Sequence, residues 1–122
     1  MNKVRVMIVE DQPTYQELVQ IVLSLDPQFD VVGVASDGQE ALDSFDEARP
    51  DLVLIDFLMP GLDGLETARR MKERRPEVKI AMVTAHEEEV LKRLASEARI
   101  QEVIPKAGFN LDRVQRLVQT GA

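Results

Sequence analysis

Short apolar runs alternate with longer amphipathic stretches along this chain. The runs contain many β-branched residues and few charges, which is typical of strands buried on both faces. In the stretches between them, apolar side chains recur every three or four residues, the spacing of a helix that buries one face. The pattern predicts five strands, at Val4–Val9, Phe29–Ala35, Leu52–Ile55, Val78–Val83 and Ile100–Ile104.

Each predicted strand is followed by one predicted helix. Asp37 stands three residues before Glu40, and Asp63 three before Glu66, so the second and third helices begin like capping boxes. Asn110 is a suitable N-cap for the last helix. The predicted apolar faces consist of Tyr15, Leu18, Val19, Val22 and Leu25; Leu42, Phe45 and Ala48; Leu65, Ala68 and Met71; Val90, Leu91, Leu94, Ala95 and Ala98; and Leu111, Val114, Leu117 and Val118.

Five repeats of strand and helix favour a parallel sheet covered by helices on both faces. Right-handed crossovers then give a doubly wound, five-stranded sheet in a three-layer (βα)5 sandwich, the flavodoxin-like α/β class. A closed eight-fold barrel would need about twice this length. We therefore expect one domain over residues 1–122.

Composition narrows the possible functions of this domain. The chain has 22 acidic and 15 basic residues, and its net charge of −7 argues against direct contact with nucleic acid or anionic lipid. It has no cysteine, which excludes disulfides, zinc–thiolate sites and thiol catalysis. No apolar run approaches the roughly 20 residues of a membrane span. Glu10 and Asp11 interrupt the first apolar run, which argues against a signal peptide. A cytoplasmic location is expected.

Five polar side chains are predicted to converge on one side of the sheet. Ligands of open parallel sheets bind at the carboxyl ends of the strands, near the point where the strand order reverses. At these ends, Glu10 and Asp11 follow the first strand, Asp56 the third, Thr84 the fourth and Lys106 the fifth. Each alone would be an ordinary cap or solvated residue, so the prediction depends on their joint placement.

Three clustered carboxylates repel one another unless a cation compensates them. Their oxygen atoms suit Mg²⁺, which commonly takes one or two carboxylates, a carbonyl and several waters. Such an ion could orient a phosphoryl group whose other oxygens meet Thr84 and Lys106. Asp56 stands alone after the central strand, and we therefore take it as the candidate nucleophile, which would form an acyl phosphate.

Four segments carry these residues at characteristic separations: Val6–Asp11, Asp56–Gly64, Val83–Ala85 and Pro105–Lys106. Together they resemble the receiver domain of two-component response regulators, and the resemblance extends from Lys3 to about Val118. The segment Asp56–Gly64, with the sequence DFLMPGLDG, is the most specific of the four.

The resemblance implies roles for the acidic residues. Asp56 would accept the phosphoryl group from a sensor histidine kinase or a phosphotransfer protein. Asp11 would bind Mg²⁺ directly and Glu10 through water, with Asp56 and the backbone carbonyl of Leu58 as further ligands. The chain would then be a signalling receiver that catalyses only its own phosphorylation and dephosphorylation, and no enzyme in the usual sense.

The resemblance also implies a switch. Thr84 would hydrogen-bond one phosphoryl oxygen and Lys106 would pair with another. The loop after the fourth strand would thereby move inward. This movement would remodel the face formed by the fourth helix, the fifth strand and the fifth helix. That face would act on an output domain or a partner protein, and it is also the expected surface for a homodimer.

The chain departs from the usual receiver pattern at two positions. Val103 stands where an aromatic residue often rotates with the threonine, and Ala107 replaces the usual proline after the lysine. The order Pro105–Lys106 resembles receivers that control output domains of the LuxR type. Leu58 and His86 flank the expected path of the attacking water, and an apolar Leu58 favours slow loss of phosphate. For His86, an exposed loop imidazole is the simpler interpretation.

Other functions are open at this point. The departures at Val103 and Ala107 motivate a receiver-shaped interaction module that needs no phosphorylation, although the intact acid set counts against it. A haloacid-dehalogenase-like phosphatase would need a second aspartate where Leu58 stands. A flavin-binding domain would need a phosphate-binding loop where Glu10 and Asp11 would repel phosphate.

The chain stops about one turn after the apolar stripe of the last helix. A stand-alone receiver and the N-terminal part of a longer DNA-binding regulator are therefore both compatible with it. The order Pro105–Lys106 and the abrupt end favour the regulator. In that case any contact with DNA would belong to the output domain.

Overall fold

The computed structural model describes residues 3–86 and 88–119. Strands and helices alternate along this part of the chain, as the sequence pattern predicts. The strands are β1 (Val4–Val9), β2 (Phe29–Ala35), β3 (Leu52–Ile55), β4 (Lys79–Thr84) and β5 (Glu102–Pro105). The helices are α1 (Pro13–Ser24), α2 (Gly38–Ala48), α3 (Gly64–Arg74), α4 (Glu89–Glu97) and α5 (Leu111–Gln119), with a single 3-10 turn at Lys106–Gly108.

All five strands pair in parallel in the order β2-β1-β3-β4-β5. The order reverses between β1 and β3, so β3 is the central strand. Val9 is paired with Ile55 and Ile55 with Met82, while Thr84 is paired with Pro105. The carboxyl ends of these four strands therefore lie side by side, and we call this side of the sheet the carboxyl edge.

The sheet separates two buried apolar clusters. Val53 and Ile55 of β3 point into the cluster under α2, α3 and α4, while Leu52 and Leu54 point into the cluster under α1 and α5. All four side chains are almost fully buried. This two-sided burial explains why β3 is a continuous apolar run with no alternation, and it confirms the predicted three-layer sandwich.

The predicted bounds of β1, β2 and β3 are confirmed, whereas β4 and β5 begin later than predicted. Val78 is buried, but its N–H donates to the carbonyl of Arg75 and so closes a turn before β4. The N–H of Ile100 likewise donates to Ala95 at the end of α4. Both residues are apolar because they pack into the core, and their backbones do not belong to the sheet.

Helix starts agree with the predicted caps. The carboxylates of Asp37 and Asp63 accept the N–H groups three residues later, each at 2.8 Å, and the Asn110 side chain accepts the N–H of Arg113 at 3.0 Å. Helix α1 differs from the prediction, because its buried stripe centres on Val19 and Leu23. No helix in the described ranges is both long and apolar enough to cross a membrane.

Candidate functional site

Three carboxylates meet at the carboxyl edge. One oxygen from each of Glu10, Asp11 and Asp56 lies within 4.8 Å of the others. The N–H of Glu10 donates to Ala35 and the N–H of Asp56 donates to Val9, so the sheet hydrogen bonds extend one residue beyond the strands. This holds the backbones of both residues firmly, and the two residues are only 3% and 7% exposed. The predicted acid cluster is thereby confirmed as a spatial arrangement.

Lys106 lies at the start of the 3-10 turn after β5 and reaches back across the edge. Its Nζ is 2.9 Å from Oε1 of Glu10 and 3.3 Å from Oδ2 of Asp56. Three carboxylates against one ammonium leave a formal charge of −2 at the cluster. A divalent cation would neutralise this charge, and a set of carboxylate oxygens is the ligand chemistry that hard cations such as Mg²⁺ prefer.

Burial and neighbouring charges shift the pKa values of Glu10 and Lys106. Burial raises the pKa of Glu10 above its usual range, although hydrogen bonds from Lys106 and from the N–H of Gln12 work in the opposite direction. For Lys106, burial alone would lower the pKa, but the hydrogen bond to Glu10 and the charges of Asp56 and Glu10 outweigh it and raise the pKa. The Lys106 ammonium is therefore held in its charged form, while burial disfavours the charged form of its carboxylate partner Glu10.

Thr84 ends β4 beside this cluster and is fully buried. Its Oγ1 accepts the N–H of His86 at 3.2 Å, and the His86 ring packs edge-on against Phe57 with 6.1 Å between the ring centroids. No hydrogen bond joins Thr84 to Asp56 within the described residues. In this state the hydroxyl therefore serves the turn that follows its own strand.

The loop between Asp56 and α3 packs closely against the acid cluster. A Cβ added to Gly64 would lie 2.0 Å from the backbone oxygen of Asp56, so only glycine fits there. The N–H of Gly64 donates to Phe57 at 2.7 Å, and Gly61 has a φ of +78°, a conformation that favours glycine. The two glycines of the loop thus bring the first turn of α3 against the backbone that carries Asp56.

Leu58 and Val103 are two aliphatic positions that the sequence comparison with receivers singles out. Leu58, two residues after Asp56, is 53% exposed. Val103 is half-buried and packs against the cluster under α2, α3 and α4.

Sequence reasoning missed two residues of the site. Gln12 donates its N–H to Oε2 of Glu10 at 3.0 Å, and its Oε1 accepts from Nζ of Lys106 at 3.3 Å. The hydroxyl of Tyr15 donates to the backbone oxygen of Lys106 at 3.1 Å, and its ring centroid lies 4.6 Å from Nζ. Pro13 was the available signal, because a helix that starts so soon after Asp11 keeps its first turn at the carboxyl edge.

A family model described as the response regulator receiver domain matches residues 6–119 of the chain. The transcriptional regulatory protein DegU of Brevibacillus brevis is 32% identical over 126 residues, which cover 99% of this chain and 52% of that protein. A protein-glutamate methylesterase/protein-glutamine glutaminase of Syntrophus aciditrophicus is 48% identical over 73 residues, 60% of this chain and 21% of that protein. The chain thus spans about half of the first relative and about a fifth of the second.

Solved structures give the same answer for the fold. The signal receiver domain of the response regulator NarL from Mycobacterium tuberculosis superimposes with a TM-score of 0.90 at 29% identity, covering 99% of this chain and 98% of that one. A two-component response regulator of the LuxR family from Aurantimonas superimposes with a TM-score of 0.89 at 27% identity, covering 98% of this chain and 85% of that one. The described strands and helices are therefore those of a receiver fold over their full length.

Proposed function

The chain belongs to the response regulator receiver family, and we propose that Asp56 is its phosphoacceptor. The carrying observation is the placement of Asp56: it is buried at the end of the central strand, beside two further carboxylates and 3.3 Å from the Lys106 ammonium. These surroundings place the Asp56 carboxylate to accept a phosphoryl group, whose negative charge the Lys106 ammonium would meet. The intact acid set and Lys106 give no support to a phosphorylation-independent module.

In the proposed reaction, an Asp56 carboxylate oxygen attacks the phosphorus atom of a phosphohistidine on a sensor kinase or a phosphotransfer protein. A P–O bond to Asp56 forms as the P–N bond breaks, and the bonding electrons return to the imidazole of the donor. An imidazole that leaves as the anion then takes up a proton from solvent and becomes neutral. The product is an acyl phosphate on this chain.

We infer that Asp11 and Asp56 would hold Mg²⁺ directly, with Glu10 acting through water and the backbone carbonyl of Leu58 as a further ligand. When bound, the ion neutralises charge on the phosphoryl oxygens and orients the group for in-line attack. The residues fit this role because the three carboxylates and the Lys106 ammonium together carry a formal charge of −2, which a divalent cation would neutralise, and because Glu10 and Asp56 are too buried for bulk water to screen them.

Lys106 and Thr84 are assigned to the phosphoryl oxygens. Lys106 already pairs with Asp56 and would transfer this contact to the new anion. Thr84 would turn its hydroxyl towards the phosphoryl group and so weaken its bond to the N–H of His86. That movement would alter the start of α4 and hence the face formed by α4, β5 and α5. Val103 is aliphatic, so this rearrangement would proceed without the aromatic switch residue that receivers often carry at this position.

The partners of the domain follow from the same proposal. A sensor histidine kinase or phosphotransfer protein would supply the phosphoryl group, and an output domain or partner protein would read the α4-β5-α5 face, which could also form a homodimer. DegU and NarL are transcriptional regulators by name and are longer than this chain. We propose that this receiver likewise controls a transcriptional output.

The first test is intact mass after incubation with Mg²⁺ and acetyl phosphate. Wild type is expected to gain one phosphoryl group, and Asp56→Asn to gain none. Asp51→Asn is the matched control, because Asp51 lies at the other end of β3 and accepts the N–H of Arg5 at 2.9 Å. It should be phosphorylated like wild type. An adduct that persists in Asp56→Asn, or no adduct on wild type, would reject the assignment.

Leu58 is expected to lengthen the lifetime of the acyl phosphate, because an apolar side chain cannot orient the water that hydrolyses it. Leu58→Asn should therefore lose phosphate faster than wild type after the phosphodonor is removed. Val90→Asn, another exposed apolar position on the first turn of α4, serves as the control. Phosphate loss followed by mass over time gives the two rates. Equal rates in all three proteins would show that Leu58 has no part in hydrolysis.

A further inference from the structure

Helix α1 begins directly after the acid pair, with Pro13 in its first turn. Tyr15 therefore faces the 3-10 turn that carries Lys106. It is the single tyrosine of the chain, and it contacts Lys106 twice. Its hydroxyl donates to the backbone oxygen of Lys106 at 3.1 Å, and its ring lies under the ammonium, with 4.6 Å between Nζ and the centroid.

We propose that Tyr15 is a positioning residue for Lys106, which holds both the turn and the ammonium in the place from which Nζ reaches Asp56. The inference rests on the function proposed above, because it assigns Tyr15 a part in phosphorylation that is exerted through Lys106. Tyr15 itself would touch neither the phosphoryl group nor the metal.

A lysine needs such support at this place. Its four-carbon stem is flexible, and fixing it costs conformational entropy. The ring of Tyr15 offers a cation–π contact from one side, and Oε1 of Gln12 accepts a hydrogen bond at 3.3 Å from another. Nζ is thereby enclosed by neighbours that persist when Asp56 changes its charge.

The ring of Tyr15 is itself held in place. It packs edge-on against Phe109, with 6.4 Å between the ring centroids, within the range favoured by such pairs. Phe109 also donates its N–H to the backbone oxygen of Lys106, so the turn and the ring share a partner. Burial, together with the carboxylates of Glu10 and Asp56, raises the pKa of Tyr15 to about 12, which keeps the hydroxyl protonated as a donor.

The test compares rates of phosphorylation by acetyl phosphate in Mg²⁺ for Tyr15→Phe and Tyr15→Leu. Tyr15→Leu loses both contacts and should be about ten-fold slower, whereas Tyr15→Phe keeps the ring and should be about two- to three-fold slower. Val22→Ala, a half-buried position on the same helix, controls for loss of packing and should react at the wild-type rate.

A double-mutant cycle with Lys106→Ala separates positioning from packing. If Tyr15 acts through Lys106, Tyr15→Leu should slow the Lys106→Ala protein by less than about two-fold. A Tyr15→Leu effect of the same size in both backgrounds would overturn the proposal. So would a Tyr15→Leu protein that reacts as fast as wild type.

A second measurement needs no phosphorylation. The Tyr15 ring should shift the ε-methylene protons of Lys106 upfield in the NMR spectrum of wild type and of Tyr15→Phe, but not of Tyr15→Leu. Absence of that shift in wild type would overturn the positioning role directly. If the shift is present but wild type takes no phosphoryl group, the proposed function fails while the contact is established, so the two failures are distinguishable.

Discussion

At the amino end of the sheet, basic side chains donate to backbone carbonyls. The guanidinium of Arg5 reaches the carbonyl oxygens of Ala48 and Arg49 at the end of α2, with its closest contact at 2.7 Å to Ala48. Lys79 donates to Leu117 at 3.0 Å near the end of α5. At the carboxyl edge the charged groups instead face one another, and the Lys106 ammonium pairs with two of the three carboxylates, Glu10 and Asp56. The two ends thus use charge in different ways.

The two ends differ in how much charge remains available to bind a ligand. Cations that cap the carbonyl ends of helices satisfy orphan acceptors and complement the helix dipole, and this stabilises the fold. The amino end also holds an open cavity of about 690 Å³, which is lined by four cations and two carboxylates: Arg5, Arg49, Arg75, Lys79, Asp51 and Glu77. Its formal charge of +2 is as large as that of the acid cluster, but Arg5 and Lys79 are already held by the carbonyls at helix ends. Cavity size and net charge are therefore poorer guides to function here than charge without such fixed partners.

The strongest contrast between the two ends is expected from their lysines. Lys106→Ala leaves Glu10 and Asp56 facing each other without a cation, and the free energy of unfolding without metal should fall by about 2–3 kcal/mol. Because the cluster then carries one more uncompensated charge, it should bind Mg²⁺ more tightly than wild type. Urea unfolding in EDTA and across a Mg²⁺ series measures both effects.

Lys79→Ala is the matched change at the amino end. It removes one hydrogen bond to a carbonyl and should cost about 1 kcal/mol or less, with the Mg²⁺ dependence of wild type. Equal losses in the two variants, with equal Mg²⁺ affinities, would contradict the idea that the carboxyl edge, unlike the amino end, holds charge that is available to a ligand.

The contrast between the ends also explains what sequence reasoning could reach. Glu10, Asp56, Thr84 and Lys106 were predicted to meet because parallel strands bring their carboxyl ends together whatever the details of packing. The confirmed bounds of β3 have a similarly local cause, since Asp51 and Asp56 mark both ends of one apolar run. These features depend on topology and on periodicity, and both can be read from residue order.

The contacts of Tyr15 depend on how far α1 is rotated about its own axis. Apolar spacing shows that one side of this helix is buried, but not where the centre of that side lies. The helix buries Val19 and Leu23 and leaves Leu18 and Leu25 45% and 69% exposed, although the pattern placed both leucines on its apolar face. The same rotation determines where Tyr15 meets Lys106. Packing against the sheet decides it, and residue order alone does not.

A smaller effect on stability is expected when an acidic residue of the carboxyl edge, Glu10, is compared with one of the amino end, Glu77. The pKa of Glu10 is raised above its ordinary value of 4.5, chiefly by burial, so the folded state holds that proton more tightly than the unfolded state. Stability is then lost as the pH rises from about 4.5 through the raised pKa, and at neutral pH the cost is present in full. Glu10→Gln removes this cost, while Lys106 keeps Asp56 as its partner.

Glu10→Gln should therefore raise the melting temperature in EDTA at pH 7 by a few degrees, which corresponds to about 1 kcal/mol in a small domain. The same variant should gain less stability from added Mg²⁺ than wild type, because the cluster loses one of its three charges. Glu77→Gln at the amino end, where the side chain is 74% exposed, should change neither quantity. Thermal melts of the three proteins between pH 4.5 and pH 8, with EDTA or Mg²⁺, give the comparison. A Glu10→Gln protein less stable than wild type in EDTA would mean that the ion pair with Lys106 outweighs burial, and that the carboxyl edge is as well compensated as the amino end.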